Sequence, residues 1–326
     1  MALLYQPLGA DPVAGLGVSR RADIRQNTAP VRLGVLGAGP WGRNVIKTIR
    51  RLDGVELTGV ISGNPETAAC LGPETILYPD LDAALAGGRF EGLFICSPPA
   101  AHAEAAEAAM KRGLAVMVEK PLCLSGEEAK TLETAAETFE GRIGVDHIHL
   151  FAPEWQHLKA EIRPETMIRI MARAGGERAT RPDASLLWDW APHDLAMVFD
   201  LLEAPITEAR CRLLDRTARG ETLSVEGLVA NRPVSLTFGT DWPDRERLFE
   251  IETTAGTWRY RDHVADKLTL LRDDVETPVS VETAWPLDGA VQELARLSRL
   301  NSPDTKGLVL GRKVVEAIEQ LEQGRG

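Results

Sequence analysis

The strongest constraint in the sequence is a group of three glycines with the spacing G-x-G-x-x-G at positions 37–42. The group directly follows the apolar run Val31–Leu36 and opens a helical stretch. In such a turn the first glycine permits the bend, the second lets backbone approach a pyrophosphate, and the third lets helix and strand pack closely. The helix N-terminus adds amide donors for phosphates. The pattern predicts a dinucleotide site with the candidate residues Gly37, Gly39, Pro40, Trp41 and Gly42.

Two patterns of apolar residues divide the chain. Residues 31–150 alternate short runs of Val, Ile and Leu with helical stretches, which predicts an α/β Rossmann domain with a doubly wound parallel sheet. In residues 151–326 successive strands are joined by short turns, which predicts an α+β domain with a large, mostly antiparallel open sheet for substrate binding and oligomerisation. Its main helix is expected over Pro192–Leu202, and the two closing helices can pack back on the first domain. Residues 1–30 are expected to form an N-terminal extension.

Composition limits the partners. The 326 residues carry 37 basic and 48 acidic side chains, a net charge of −11, which argues against a nucleic acid or an anionic membrane. No run approaches the roughly 20 apolar residues of a membrane helix. The four cysteines form no C-x-x-C pair and are expected to be reduced thiols. We expect a cytoplasmic homo-oligomer that acts on a small molecule, because an open sheet face needs burial.

The end of the second predicted strand concerns the choice of cofactor. Dinucleotide sites of this kind usually place Asp or Glu there, to bind the adenosine ribose and repel a 2′-phosphate. Here the chain reads Ser62-Gly63-Asn64, without a carboxylate and without Arg or Lys. Ser62 is therefore the candidate residue at this position. The expected cofactor is NAD or NADP.

Several later segments resemble the motifs of one family. They read CSPPAAH at 96–102, EKP at 119–121 and WDWAPHD at 188–194, and WPL at 285–287 precedes the closing helices. With the glycine loop, they make residues 31–323 resemble the Gfo/Idh/MocA family of sugar dehydrogenases, which includes glucose-fructose oxidoreductase and inositol dehydrogenase. The resemblance implies NAD(P)-dependent hydride transfer between nicotinamide and a secondary alcohol or ketone of a sugar or nucleotide-sugar substrate.

Two alternative functions are compatible with the sequence. A non-catalytic NAD(P)-binding sensor or scaffold would keep the fold without the chemistry, and the presence of Lys120, Asp189 and His193 argues against it. A dehydrogenase of a polyol, a dihydrodiol or a linear tetrapyrrole would keep the chemistry with another substrate.

The candidate catalytic residues are Lys120, Asp189 and His193. Lys120 stands just past a strand at the carboxyl edge of the predicted sheet, where ligands bind. Asp189 and His193 are four residues apart, which places them on one helical face. A local alternative makes Asp189 the cap of a helix that starts near Pro192, and His193 a packed surface residue. The resemblance implies that Lys120 hydrogen-bonds the reacting hydroxyl, that His193 is the general base, and that Asp189 positions the substrate and the imidazole.

The resemblance also assigns further cofactor residues. It implies that Glu119 lies against the nicotinamide, that Lys120 borders the cofactor, and that Ser97, Pro98 and His102 belong to a loop under the dinucleotide. Locally, Glu119 can instead pair with Lys120, the loop can simply start a helix, and His102 can be a surface residue.

Four further residues are candidate substrate contacts. His147 and His149 are two apart at a strand end, and with Asp146 they suggest a metal site, but the sequence supplies no third and fourth ligand. We therefore predict no metal and expect both histidines to line the interdomain cleft. Trp188 and Trp190 flank the catalytic Asp and can stack on a sugar, or pack in the core.

Four arginines are candidates for binding a nucleotide-sugar diphosphate, since guanidinium groups bind phosphates in pairs of hydrogen bonds. Alternatively, these arginines are ordinary solvated side chains on turns. They are Arg178, Arg181, Arg245 and Arg247.

Overall fold

The computed structural model describes residues 29–177 and 185–325, so nearly all of the expected extension lies outside the described residues. The first sheet consists of β1 (Val31–Leu36), β2 (Val55–Ile61), β3 (Ile76–Tyr78), β4 (Gly92–Ile95), β5 (Ala115–Glu119) and β6 (Ile143–Asp146). All pairs are parallel, in the order β3-β2-β1-β4-β5-β6. This is the order of a doubly wound dinucleotide-binding sheet, whose switch point lies between β1 and β4.

Helices cover both faces of the first sheet. They are α1 (Pro40–Arg51), α2 (Leu81–Gly87), α3 (His102–Lys111) and α4 (Gly126–Thr138). Because the sheet is covered on both sides, its central strand β4 is apolar at every position, and Leu93, Phe94 and Ile95 are fully buried. The parallel α/β architecture expected from the sequence is confirmed.

The second sheet is built from later strands and is mostly antiparallel. Its strands are β7 (Met167–Glu177), β8 (Ile206–Arg216), β9 (Glu221–Val229), β10 (Arg232–Gly239), β11 (Asp241–Thr253), β12 (Gly256–Arg261), β13 (Leu268–Arg272) and β14 (Val275–Pro278). Their order is β14-β13-β12-β11-β7-β10-β9-β8, with one parallel pair between β7 and β10. The large antiparallel sheet expected from the sequence is confirmed.

One face of the second sheet is packed and the other is charged. Helices α5 (Pro153–Glu161) and α6 (Leu186–Leu202) share a core with its inner face, including Ile170 and Phe249. On the outer face, ion pairs join neighbouring strands, among them Arg173 with Glu246 at 3.2 Å.

The two closing helices connect the two cores. Helix α7 (Pro286–Arg299) packs against the first sheet through residues such as Leu294. Helix α8 (Lys306–Gln323) contributes Val315 to the core of the first domain and Ile318 to that of the second. One helix therefore serves both hydrophobic cores.

The main helix begins earlier than the sequence predicts. Helix α6 starts at Leu186, with the hydroxyl of Ser185 accepting a hydrogen bond from Trp188 N–H at 3.4 Å. The prediction over Pro192–Leu202 was wrong because it took Pro192 as a first-turn residue, whereas the proline lies inside the helix.

Candidate active site

The three glycines of the 37–42 loop have different surroundings. Gly37 has a φ of +95°, and a Cβ there would lie 2.6 Å from the carbonyl oxygen of Cys96. A Cβ on Gly42 would lie 2.0 Å from the oxygen of Gly37, so both glycines are required by close packing. A Cβ on Gly39 would meet no described atom within 4 Å. The middle glycine thus borders open space, which fits the close approach of a pyrophosphate.

Helix α1 presents its N-terminus to the same space. Gly39 is its N-cap, Pro40 follows, and among the described residues no side chain caps this end. Its first amides therefore stay available for an anion. Trp41 in the first turn donates its Nε1–H to Asp146 Oδ2 at 3.3 Å, which holds α1 against the end of β6.

The end of β2 is uncharged. The Ser62 hydroxyl lies 3.1 Å from Thr67 Oγ1 and accepts a hydrogen bond from the backbone N–H of Asn64 at 3.2 Å. The Asn64 side chain in turn caps the following 3-10 helix by accepting from Glu66 N–H at 2.9 Å. Ser62 is thus the first residue after the strand, where a ribose-binding carboxylate would otherwise be expected.

His102 joins the loops that follow β4 and β5. It is 1 % exposed, and its Nδ1 and Nε2 lie 2.8 Å from the carbonyl oxygens of Pro121 and Ser97. Burial lowers the pKa of the imidazole, while both carbonyls oppose this effect. The alternative of a surface histidine was wrong. Pro98 precedes a short 3-10 helix, so this loop does start a helix.

Two carboxyl groups meet at the carboxyl ends of β5 and β6. Glu119 and Asp146 are register partners in this parallel pair. Glu119 accepts a hydrogen bond from the backbone N–H of Lys120, and burial raises the pKa of both carboxyls. Among the described residues no group of three or more His, Cys, Asp or Glu side chains is arranged to hold a metal ion.

Lys120 contacts the start of helix α6. Its Nζ donates to the backbone carbonyl of Asp189 at 2.7 Å and lies 3.6 Å from Asp189 Oδ1. Pro192, inside this helix, cannot donate the helical hydrogen bond of its position. The alternative in which Asp189 caps the helix was wrong, because Ser185 has that position.

His193 lies one turn after Asp189 and is part of a histidine cluster. Its ring centroid is 5.1 Å from that of His149, at an angle of 87°, and His149 Nδ1 lies 3.1 Å from the Tyr260 hydroxyl. Burial lowers the pKa of His147, His149 and His193, and the Lys120 charge lowers them further. These rings are therefore neutral at neutral pH. Among the described residues, His193 Nδ1 and both ring nitrogens of His147 have no hydrogen-bond partner.

The two tryptophans pack against hydrophobic cores. Trp188 contacts the cores of both domains, and Trp190 contacts that of the second. Both are partly exposed, and within the described chain the buried Trp190 Nε1 has no hydrogen-bond partner. This arrangement favours the core-packing alternative and leaves one polar atom for a ligand or water.

The described arginines of the suggested diphosphate clamp are held in ion pairs. Arg247 Nη1 lies 2.8 Å from both carboxylate oxygens of the buried Asp194. Arg245 binds Asp262 at 2.6 Å. The other two, Arg178 and Arg181, lie outside the described residues.

The structure combines a doubly wound sheet, a glycine loop that borders open space, and a Lys-Asp-His group at the same end of the strands. Together these features define a dinucleotide-dependent dehydrogenase with a separate second domain. A model of the Gfo/Idh/MocA family, described as an oxidoreductase family with an NAD-binding Rossmann fold, matches residues 31–147. The chain belongs to this family and is an oxidoreductase.

Three similar proteins extend this result. The crystal structure of a presumed oxidoreductase from Magnetospirillum magnetotacticum MS-1 is 31% identical, with a TM-score of 0.82 over 90% of this chain and 100% of that one. A 4-carboxy-2-hydroxymuconate-6-semialdehyde dehydrogenase from Sphingobium sp. is 27% identical over 73% of this chain and 82% of that protein. A UDP-N-acetylglucosamine 3-dehydrogenase from Acidithiobacillus ferrooxidans is 28% identical over 55% of this chain and 57% of that protein.

Proposed function

We propose that the chain transfers a hydride between NAD or NADP and a secondary alcohol or ketone of a sugar-like substrate. The observation that carries this proposal is the contact of Lys120 Nζ with Asp189, at 2.7 Å to its carbonyl and 3.6 Å to its carboxylate, with His193 on the next helical turn. This group lies at the carboxyl end of the parallel strands, the same end at which Gly39 borders open space. Cofactor and proton-transfer groups thus share one edge.

The roles of these residues follow from their protonation states. Bound nicotinamide supplies a carbon that accepts or returns a hydride. His193 is neutral because burial and the Lys120 charge lower its pKa, so it can accept the alcohol proton as the hydride leaves. Lys120 donates a hydrogen bond to the same oxygen, and Asp189 holds the ammonium in place.

Unpartnered polar atoms support a hydroxyl-rich substrate. Among the described residues, His147 Nδ1 and Nε2, Trp190 Nε1 and His193 Nδ1 are buried without a hydrogen-bond partner. Buried polar groups normally have partners, so a ligand or water that satisfies them is expected. Sugars and polyols supply several hydroxyls at once. A similar protein named for UDP-N-acetylglucosamine supports a nucleotide sugar as the first choice.

The test compares Lys120→Met and His193→Ala with Lys130→Met, a matched lysine substitution on an exposed part of α4. We expect the first two variants to keep cofactor affinity and melting temperature and to lose turnover by about 10²- to 10⁴-fold, the usual contribution of a positioned acid or base. The control should keep full turnover. Rates are measured on a panel of nucleotide-linked uronic acids, keto-sugars and free polyols.

Two results would contradict this proposal. Cofactor binding without turnover of any member of the panel would favour the sensor. Unchanged turnover in both site variants would mean that other groups move the proton.

We also propose that the protein is a cytoplasmic homo-oligomer. The free thiols of all four cysteines support a reducing compartment. Exposed apolar side chains of the second sheet, with Ile168 at 45 % and Leu214 at 58 % exposure, support burial against another copy. None of the helices in the described residues is long and apolar enough to cross a membrane.

A further inference from the structure

Glu119 and Asp146 form what we call the carboxyl pair. They are register partners at the ends of β5 and β6, and side chains of partners in parallel strands leave the sheet on the same face. Asp146 is fully buried, and Glu119 is partly buried. Two acidic groups are therefore held side by side with little access to water.

The carboxyl pair receives its hydrogen bonds from uncharged donors. Glu119 accepts from the backbone N–H of Lys120, and Asp146 accepts from the indole N–H of Trp41 at 3.3 Å. In the described chain, Asp146 Oδ1 is buried and has no hydrogen-bond partner. The Lys120 ammonium donates to the carbonyl of Asp189, and its charge also attracts the carboxyl pair.

Burial outweighs that attraction. It raises the pKa of both carboxyls, and the neighbouring Asp146 charge raises the pKa of Glu119 further. When two carboxyls lie together in a dry site, one proton stays bound well above the ordinary carboxyl pKa of about 4.

Other titratable groups around Lys120 and the carboxyl pair remain uncharged at neutral pH. Burial raises the pKa of the Cys96 thiol well above its usual value. Burial lowers the pKa of His147 to about 3 and that of His193 well below its usual value. The charged neighbours are Lys120 and Asp189, which contact each other. A proton released when cofactor binds would therefore come from the carboxyl pair or from Lys120.

We propose that the carboxyl pair holds one proton in the empty site and releases it when oxidised cofactor binds, but not when reduced cofactor binds. The inference rests on the proposed cofactor site. The pair lies on the β4-β5-β6 side of the switch point, opposite the end of β2, and it contacts the glycine-loop helix through Trp41. The oxidised nicotinamide ring carries a positive charge that favours two ionised carboxylates, whereas the reduced ring is neutral.

The sign of the pH dependence follows. Releasing a proton on binding makes the affinity for oxidised cofactor rise with pH, by at most about tenfold per pH unit for one proton, until the pair is ionised in the empty site. The affinity for reduced cofactor should stay nearly constant over the same range. The site would therefore favour oxidised cofactor increasingly as pH rises from about 6 to about 8.

The experiment counts protons directly. NAD⁺ and NADH, or NADP⁺ and NADPH if these bind more tightly, are titrated calorimetrically near pH 7 in two buffers of different ionisation enthalpy. We expect release of about half a proton to one proton with the oxidised form and almost none with the reduced form. Equal proton release with both forms overturns the inference and leaves the proposed function intact. Failure of both forms to bind overturns the proposed function, and this inference with it.

Variants identify the source of the proton. Asp146→Asn keeps the shape of the side chain. It should abolish proton release and make the affinity for oxidised cofactor nearly independent of pH. Glu119→Gln should have the same effect, and it replaces the first variant if Asp146→Asn folds poorly. Lys120→Met should still release the proton, since the pair is intact. The matched control Glu91→Gln removes a carboxylate that binds Arg32 just before β4, at the other edge of the sheet, and should release the proton normally. Loss of release in Lys120→Met with retention in Asp146→Asn would assign the proton to the lysine and overturn the inference.

Discussion

At the scale of single residues, a substitution at Gly39 should affect cofactor binding without affecting folding. Its φ of −66° and ψ of −174° suit any residue, and a Cβ there meets no described atom. We expect Gly39→Val to keep its melting temperature and to lose dinucleotide affinity by about ten- to a hundredfold, the equivalent of 1–3 kcal/mol of steric cost. Fluorescence titration with NADH measures the loss.

The control for this variant is Gly72→Val. A Cβ at Gly72 would lie at an ordinary 3.8 Å from its nearest neighbour, the Nη2 atom of Arg50, in the loop that precedes β3. Normal affinity in the control and reduced affinity at Gly39 are the expected pair of results. Normal NADH binding by a folded Gly39→Val would mean that the cofactor does not approach this loop.

The sequence indicates part of the residue-level arrangement. The four-residue spacing of Asp189 and His193 and the strand-end position of Lys120 are local features, and the structure brings Lys120 and Asp189 into contact. The neighbours of His149 could not be foreseen in this way. Its partner Tyr260 is 111 residues away and comes from the second sheet, so only the folded chain defines the contact.

At the scale of elements, strands were easier to predict than helix starts. Buried parallel strands appear as continuous apolar runs, and β1 has the bounds of the apolar run Val31–Leu36 seen in the sequence. Helix α6 does not have its predicted bounds, because Pro192, the seventh residue after Ser185, resembles a start signal although it lies inside the helix. Helix α5 and strand β14 lacked a clear local pattern and were not predicted.

The end of β2 leads to a prediction on cofactor choice. Without a carboxylate or a cation after Ile61, the wild type should distinguish NAD from NADP by no more than about 1–2 kcal/mol, or roughly five- to thirtyfold in affinity. Ser62→Asp should shift the preference toward NAD, since a carboxylate accepts the ribose hydroxyls and repels the 2′-phosphate. Ser62→Asn is the uncharged control of similar size. A wild type that already excludes NADP by several orders of magnitude would show that another residue makes the choice.

At the scale of the whole molecule, α8 makes the two domains depend on each other. Val315 is buried in the core of the first domain and Ile318 in that of the second, both at 0 % exposure. Ile318→Ala should cost about 2–5 kcal/mol of unfolding free energy, and Val315→Ala somewhat less because fewer methyl groups are removed. Both should lower one common melting temperature in calorimetry, whereas Gln320→Ala on the exposed side should leave it unchanged. Separate unfolding of one domain in either variant would contradict this coupling.

The same helices set the order in which the chain can be completed during synthesis. The first sheet ends at Asp146, but α7 and α8, which cover part of it, begin only at Pro286 and Lys306. At ordinary translation rates the ribosome needs on the order of 10–30 s for the intervening residues. During that interval the apolar side chains that α7 later covers, such as Phe94 and Met117, face water or a chaperone. A nascent chain that stalls before α7 is made therefore leaves part of the first sheet exposed, because helices made later protect a sheet made earlier.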